Sequence, residues 1–211
     1  MAFDHIGLTI LNKLPFFNLI GRLSFPIFAF QATEGYVHTK NFKNYIMKLL
    51  LFACISQIPF MLFISTFSND IFSLNVLFTF ILGLLAIHFY DKSTNKLFGT
   101  LFVLLFGIIA ELLKTDYGIY GVFLMFVFYI FKNKKFLMIL SSIILMILYY
   151  GFYAFKFYNL KIIYILYMLS SCFSLFFISI YNKKEGPKMK YLFYIFYPLH
   201  LLILYLASKF I

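Results

Sequence analysis

The sequence predicts an all-α fold: a polytopic bundle of about eight transmembrane helices, organised as a single unit over residues 1–211. Three observations predict it. Apolar stretches, most of roughly 17 to 22 residues, fill nearly the whole chain between short lysine-bearing loops. The composition is 64% hydrophobic and only 12% charged, too little charge to cover the surface of a soluble protein. The apolar runs also lack period-2 alternation, which excludes a membrane barrel and leaves helices as the spanning structures. A bilayer core of about 30 Å takes roughly 20 helical residues at about 1.5 Å each.

The spans fall at about 18–37, 45–65, 71–90, 97–113, 117–131, 136–155, 160–181 and 191–208. The first carries Arg22 about one turn in, and Pro26 four residues later is expected to loosen the helix and free carbonyls. The second holds Gln57 ahead of Pro59. The third holds Asn75, with Thr79 one turn on, and ends near His88. The next two are short and flank Glu111 to Gly118, so they form either two spans or a re-entrant hairpin. The sixth and seventh are almost wholly apolar. The last contains Pro198 and, near mid-membrane, His200. Before all of them stands Asp4-His5-Ile6-Gly7, with too few residues ahead of it to make a span.

Lysines orient the bundle. Alternating the loops places Lys40, Lys43, Lys48, Lys92, Lys96, Lys132, Lys134, Lys135, Lys183, Lys184, Lys188 and Lys190 inside, against Lys13, Lys114, Lys156, Lys161 and Lys209 outside. Twelve against five is a positive-inside bias, and it puts both termini outside. The net charge of +11 is therefore accounted for by orientation and anionic headgroups. With no basic stripe on a soluble face, nucleic acid is not an expected partner, whereas membrane lipid is. Cys54 and Cys172 both lie within apolar spans and read as packing residues; no metal-ligand spacing and no disulfide framework is visible, so no metal is expected.

Ionisable groups in hydrocarbon are costly and mark function. Arg22, the single arginine, keeps its proton when partly dehydrated and offers a planar fork to an anion. Gln31, Glu34 and His38 recur at i, i+3 and i+7 and form one polar stripe toward the cytoplasmic face. Asp4, His5, Glu111, Asp116 and Tyr117 share a depth at the outer side and suit acid/base work. For His200 an interhelical hydrogen bond and catalysis are both open.

These residues also fall in strings. Asp4-His5-Ile6-Gly7, Ile20-Gly-Arg-Leu-Ser-Phe-Pro-Ile-Phe-Ala-Phe30, Glu34-Gly35 and His38-Thr-Lys-Asn41 resemble the TraX family. So do Ile55-Ser-Gln-Ile-Pro-Phe60, Asn75-Val-Leu-Phe-Thr79 with Gly83, Asp116-Tyr-Gly-Ile-Tyr-Gly121 and Tyr194-Ile-Phe-Tyr-Pro-Leu-His200. That family takes its name from a conjugal-transfer protein that N-acetylates F-pilin, and it is similar to a wider group including acyltransferase family 3 and heparan glucosaminide acetyltransferase. The resemblance implies a multi-pass protein of the bacterial inner membrane. Its activity would move an acetyl group from acetyl-coenzyme A to an amine or hydroxyl of a pilin-like protein or an envelope glycan. It implies His5 as general base oriented by Asp4, with Arg22 steadying an oxyanion or a donor phosphate. Glu34, His38 and Lys40 would stand at the donor mouth, and Asn75, Glu111, Asp116, Tyr117 and His200 along the path between. Family members carry an apolar run before Asp-His, so a first half-helix is expected to be missing here. A small transporter or flippase, or a structural subunit of a conjugation or secretion apparatus, is the alternative.

Overall fold

The computed structural model describes residues 1–9, 15–68, 70–157, 161–184 and 190–210. Lys13 and Lys188, two of the lysines used for orientation, lie outside the described residues. The chain is all-helical. In order come α1 (Ala2–Thr9), α2 (Pro15–Arg22), α3 (Ser24–His38), α4 (Phe42–Ile64), α5 (Val76–Lys92), α6 (Lys96–Leu112), α7 (Gly118–Ile130), α8 (Lys135–Lys156), α9 (Lys161–Ser179) and α10 (Lys190–Ala207).

One expectation is corrected. The stretch 18–37 is not one helix but α2 and α3, parted at Leu23. Pro26 supplies the reason, because it has no N–H to donate to the carbonyl of Arg22 one turn earlier. The Ser171 hydroxyl reaches that carbonyl at 3.5 Å, and Ser24 Oγ donates to the Gly21 carbonyl at 2.6 Å. Among the described residues, three helices are long and apolar enough to cross a membrane by themselves: α4, α8 and residues Ile162–Ser179 of α9. Helix α7 has 13 residues and both α5 and α6 have 17. At about 1.5 Å per residue, α7 rises only about 20 Å. Hydropathy runs on through apolar connections such as Phe72 and Leu113, and so overstates helix length.

Asparagines start three of the helices. The Oδ1 atoms of Asn41, Asn75 and Asn95 accept from the backbone N–H of Asn44 (3.0 Å), Leu77 (3.0 Å) and Leu97 (2.9 Å), satisfying donors that a helix start leaves orphaned. Helix α6 lies at the outside of the bundle. Its buried residues, Gly99, Val103, Gly107 and Ala110, form one stripe of mostly small side chains against α5 and α7, while Leu97, Leu101 and Leu112 face outward. Small residues let backbones approach where lipid supplies no hydrophobic drive between helices. The main core gathers buried residues from α3, α4, α5, α7, α8, α9 and α10, with Phe25, Leu84, Leu124, Met146 and Leu201 among the most enclosed.

Connections meet at two ends. At one, Leu74 pairs with Thr115 in a single parallel bridge: Leu74 N–H donates to Lys114 O (3.1 Å), and Asp116 N–H donates to Leu74 O (2.9 Å). Below it, Asn75 is wholly buried. Its Nδ2 donates to Ala53 O (2.8 Å) and to Gln57 Oε1 (2.9 Å), and Gln57 Nε2 donates to Ser73 O (2.8 Å). The side chain predicted to line a substrate path is thus fully engaged in capping α5 and tying it to α4. Alanine at Asn75 removes the cap and leaves buried acceptors short of partners. Stability in detergent should fall by about 2–4 kcal/mol, read as a lowered Tm; an unchanged Tm would refute this structural role.

Candidate active site

The site is built on the short N-terminal hairpin. Helices α1 and α2 pack against each other at Gly21, where a Cβ would overlap the Cβ of Asp4. That approach buries Asp4 against α2. Its Oδ1 accepts from Asn18 Nδ2 at 2.7 Å, the same nitrogen donates to Asp4 O at 3.2 Å, and Arg22 Nη2 stands 3.9 Å from Oδ1. Asn18 and Arg22 are one turn apart on α2, so a single helix face presents both to the carboxylate.

Arg22 is held on several sides. Its Nη1 donates to Tyr117 Oη at 3.4 Å, and its guanidinium lies over the Tyr167 ring at 4.9 Å, a cation–π contact. Its Nε is buried without a partner among the described residues, as is the nearby Tyr120 hydroxyl. Tyr117 is placed by a tight turn in which Lys114, Tyr117 and Gly118 have φ of 49°, 69° and 43°. Left-handed backbone at the two non-glycine positions costs about 1–3 kcal/mol each and persists where the surroundings over-determine it. Here the Tyr117 ring stacks on Phe25 with centroids 3.6 Å apart, and Thr79 Oγ1 donates to the Asp116 carbonyl.

The imidazoles meet elsewhere. Helix α1 packs on α10, and His5 Nδ1 lies 2.9 Å from His200 Nε2 with the ring planes 6° apart. His200 Nδ1 is 2.8 Å from the carbonyl of Phe196. A carbonyl only accepts, so Nδ1 of His200 carries hydrogen. With both rings uncharged, His200 Nε2 is then the acceptor, His5 Nδ1 the donor, and His5 Nε2 the nitrogen with a lone pair. Phe63 packs on the His5 ring at 4.7 Å, and Phe196 stacks on His200 at 4.8 Å. Met1, Phe196 and Tyr197 belong to the wall of an adjoining apolar cavity of about 240 Å³ between α3, α4, α5 and α10.

A polar cavity of about 400 Å³ opens at the bridged end, lined by Asp70, Glu111, Lys114, Asp116, Tyr117 and Tyr149 among others. Lys114 Nζ pairs with Asp70 at 3.0 Å, and Glu111 Oε2 accepts from Ile119 N–H at 3.2 Å. Burial pushes the Asp116 carboxyl in this connection up to about 6, against the pull of the Arg22 guanidinium.

Of the predicted residues, the fold brings His5 and His200 into contact. It also gathers Asp4, Arg22 and Tyr117 around one guanidinium, and Glu111 and Asp116 around one cavity. Asp4 does not orient His5: its carboxylate faces Asn18 and Arg22, because consecutive helical residues point about 100° apart. Glu34 and His38 pair with each other at 3.6 Å, one turn apart. Lys40 lines a further cavity at the opposite end. Asn18, Tyr167 and Tyr120 were not foreseen. For Asn18 a signal existed, its one-turn spacing from Arg22; the tyrosines lay among 17 in the chain and could not be singled out.

Fold and site together define a polytopic helical membrane protein with a hydrogen-bonded imidazole pair and a half-buried guanidinium at its N-terminal hairpin. The chain belongs to the TraX protein family, which it matches over residues 1–208. It is also similar to a probable fimbrial assembly protein FimC, serogroup H1, of Dichelobacter nodosus. The two are 32% identical over 131 residues, which is 56% of this chain and 52% of that protein, so the chain spans about half the length of the curated relative. No solved structure matches the chain.

Proposed function

We propose that this protein is an acyltransferase of the bacterial inner membrane. In this reading it moves an acetyl group from acetyl-coenzyme A to an amine or hydroxyl of a pilin-like protein or an envelope glycan. The observation that carries the proposal is the His5–His200 pair, whose hydrogen bonds leave an imidazole nitrogen available as a base. The fimbrial assembly description of the relative supports an acceptor of pilin type.

The step balances as follows. His5 Nε2 takes the proton from the acceptor N–H or O–H as that atom attacks the thioester carbonyl carbon. A tetrahedral oxyanion forms, then collapses with cleavage of the C–S bond. The leaving thiolate of coenzyme A takes the proton back from the His5 imidazolium. While charged, His5 donates through Nδ1 to His200, which lowers the energy of the imidazolium. Arg22 contributes a fixed positive charge to the polar interior, where it favours developing negative charge.

The test is transfer from labelled acetyl-coenzyme A into envelope material by membranes holding the wild type or His5→Ala. Incorporation should drop by about 10²–10⁴-fold, the range for loss of a general base. Equal incorporation in both would remove His5 from the mechanism. Solute flux without coenzyme A consumption would select a transporter instead.

A further inference from the structure

At the end of the bundle opposite the Leu74–Thr115 bridge, the connections α3–α4, α5–α6 and α7–α8 surround a second polar cavity, of about 290 Å³. Lysines reach its wall from the α3–α4 connection (Lys40), the C-terminal end of α5 (Lys92) and the α7–α8 connection (Lys132). Asp91 is the carboxylate among the lining residues, and phenols take it up: Tyr129 Oη donates to Oδ1, and Tyr36 Oη donates to Oδ2 at 3.2 Å. Lys132 Nζ lies over the Tyr129 ring, 4.4 Å from its centre, rather than against that carboxylate. The ion pairs found among the described residues, Arg22–Asp4, His38–Glu34 and Lys114–Asp70, involve none of the three lysines. The wall therefore carries three ammonium groups against one carboxylate. Lys96, the next cation along, is already committed to the carbonyls of Tyr90 (3.3 Å) and Asp91 (3.2 Å).

Charge of this kind calls for a ligand with at least two negative charges, since a single carboxylate would leave the surplus in place. Lysine ammonium groups arriving from several directions suit the tetrahedral oxygens of a phosphoryl group, to which they act as point charges. The opposite cavity would repel such a ligand, because Asp70, Glu111 and Asp116 outnumber Lys114 there. Around the lysines stand aromatic faces. His88 lies flat on Phe42 with centroids 4.1 Å apart, its Nδ1 3.4 Å from Tyr36 Oη, so an organic phosphate finds apolar walls beside the cations.

We propose that this cavity is a binding site for the phosphoryl groups of a phosphorylated ligand, held by Lys40, Lys92 and Lys132. Its purpose, the docking of a phosphate-bearing acyl donor, rests on the acyl-transfer reading; its ability to bind phosphate does not. The same chemistry is offered by a soluble nucleotide-linked donor and by a phospholipid headgroup, and the experiment separates them.

The full chain is placed in nanodiscs of phosphatidylcholine and titrated with radiolabelled inorganic pyrophosphate. Saturable binding is expected, at least 10-fold weaker in Lys40→Gln/Lys92→Gln/Lys132→Gln and unchanged in Lys156→Gln/Lys209→Gln, which removes charge elsewhere. His5→Ala should bind pyrophosphate as the wild type does while losing transfer, so failure of the site and failure of the transferase reading are told apart. In nanodiscs containing phosphatidic acid, loss of pyrophosphate binding assigns the site to a lipid headgroup, and undiminished binding assigns it to a soluble phosphate. Equal affinity in the wild type and the triple variant, or no saturable binding in phosphatidylcholine discs, overturns the proposal. Matching size-exclusion profiles exclude unfolding of the triple variant as the cause.

Discussion

Under the proposed transferase mechanism, alanine at His200 should lower acyl transfer by about 10²-fold, and adding it to His5→Ala should lower transfer no further. The first half follows from tautomer control. The Phe196 carbonyl fixes hydrogen on Nδ1 of His200, the bare Nε2 of His200 then draws the hydrogen of His5 to Nδ1, and His5 Nε2 is left with its lone pair, ready for the proposed role as base. Without His200 the neutral His5 ring distributes its hydrogen between both nitrogens and rotates, and the imidazolium formed during transfer loses its acceptor. The second half follows because residues acting as one unit are not additive: with the base gone, nothing remains to orient. A purely structural His200 would instead lower the amount of folded protein and leave the rate per folded molecule unchanged. The decisive comparison is therefore kcat against the fraction of monodisperse protein. Glutamine at His200 should recover part of the loss, since its amide oxygen can accept from His5 Nδ1. Rate losses that multiply in the double variant would show that the two imidazoles work separately.

The second large effect concerns Gly21. A methyl group there would fall on Asp4 Cβ and approach Asp4 Cα to 2.8 Å, and a backbone atom cannot swing aside as a side-chain tip can. Alanine at Gly21 must push α1 off α2. This breaks the Asn18–Asp4 bonds and leaves the Arg22 guanidinium without its carboxylate, although Tyr117 and Tyr167 remain. Overpacking costs about 1–3 kcal/mol, and loss of the carboxylate beside the half-buried guanidinium, with the Asn18 bonds, adds about 1–3 kcal/mol. A Tm fall of roughly 10 °C is expected, at about 2–4 °C per kcal/mol for a chain of this size, together with loss of transfer as His5 leaves His200. Gly151 gives the control. A Cβ there meets nothing within 4 Å, so alanine in that helix interior should leave Tm unchanged or raise it slightly. Equal behaviour of the two alanine variants would contradict the close approach of α1 and α2.

The polar residues chosen from the sequence divide by the range of the force that places them. Arg22 stood out because guanidinium in an apolar stretch is costly wherever the rest of the chain lies, and the fold gives it Asp4, Tyr117 and Tyr167 as partners. Asn75 stood out on the same ground, yet its side chain's three hydrogen bonds, with the Leu77 N–H, the Ala53 carbonyl and the Gln57 amide oxygen, cap α5 and tie it to α4. Polarity in hydrocarbon reveals that a group has partners without saying whether they are backbone or substrate. The pairing of Asp4 with His5 was inferred from adjacency, and helical geometry separates their side chains. Lys40, taken as one residue of a donor mouth, proved to be one of three lysines converging from two connections and the end of α5, a convergence that alternation of the loops across the bilayer makes available.

What the sequence determined by itself is the solvent and the secondary structure. Long apolar runs with so little charge leave the backbone no partner but itself, so helices follow from each segment alone, and Pro26 marks where one of them breaks. Tertiary packing decided that the charged groups sort into an acidic cavity at one end and a lysine-lined one at the other. It also brought His5 to His200 across 195 residues of chain. A hydrogen bond acts over about 3 Å and carries no trace in local composition, so only the docking of α1 on α10 could create it.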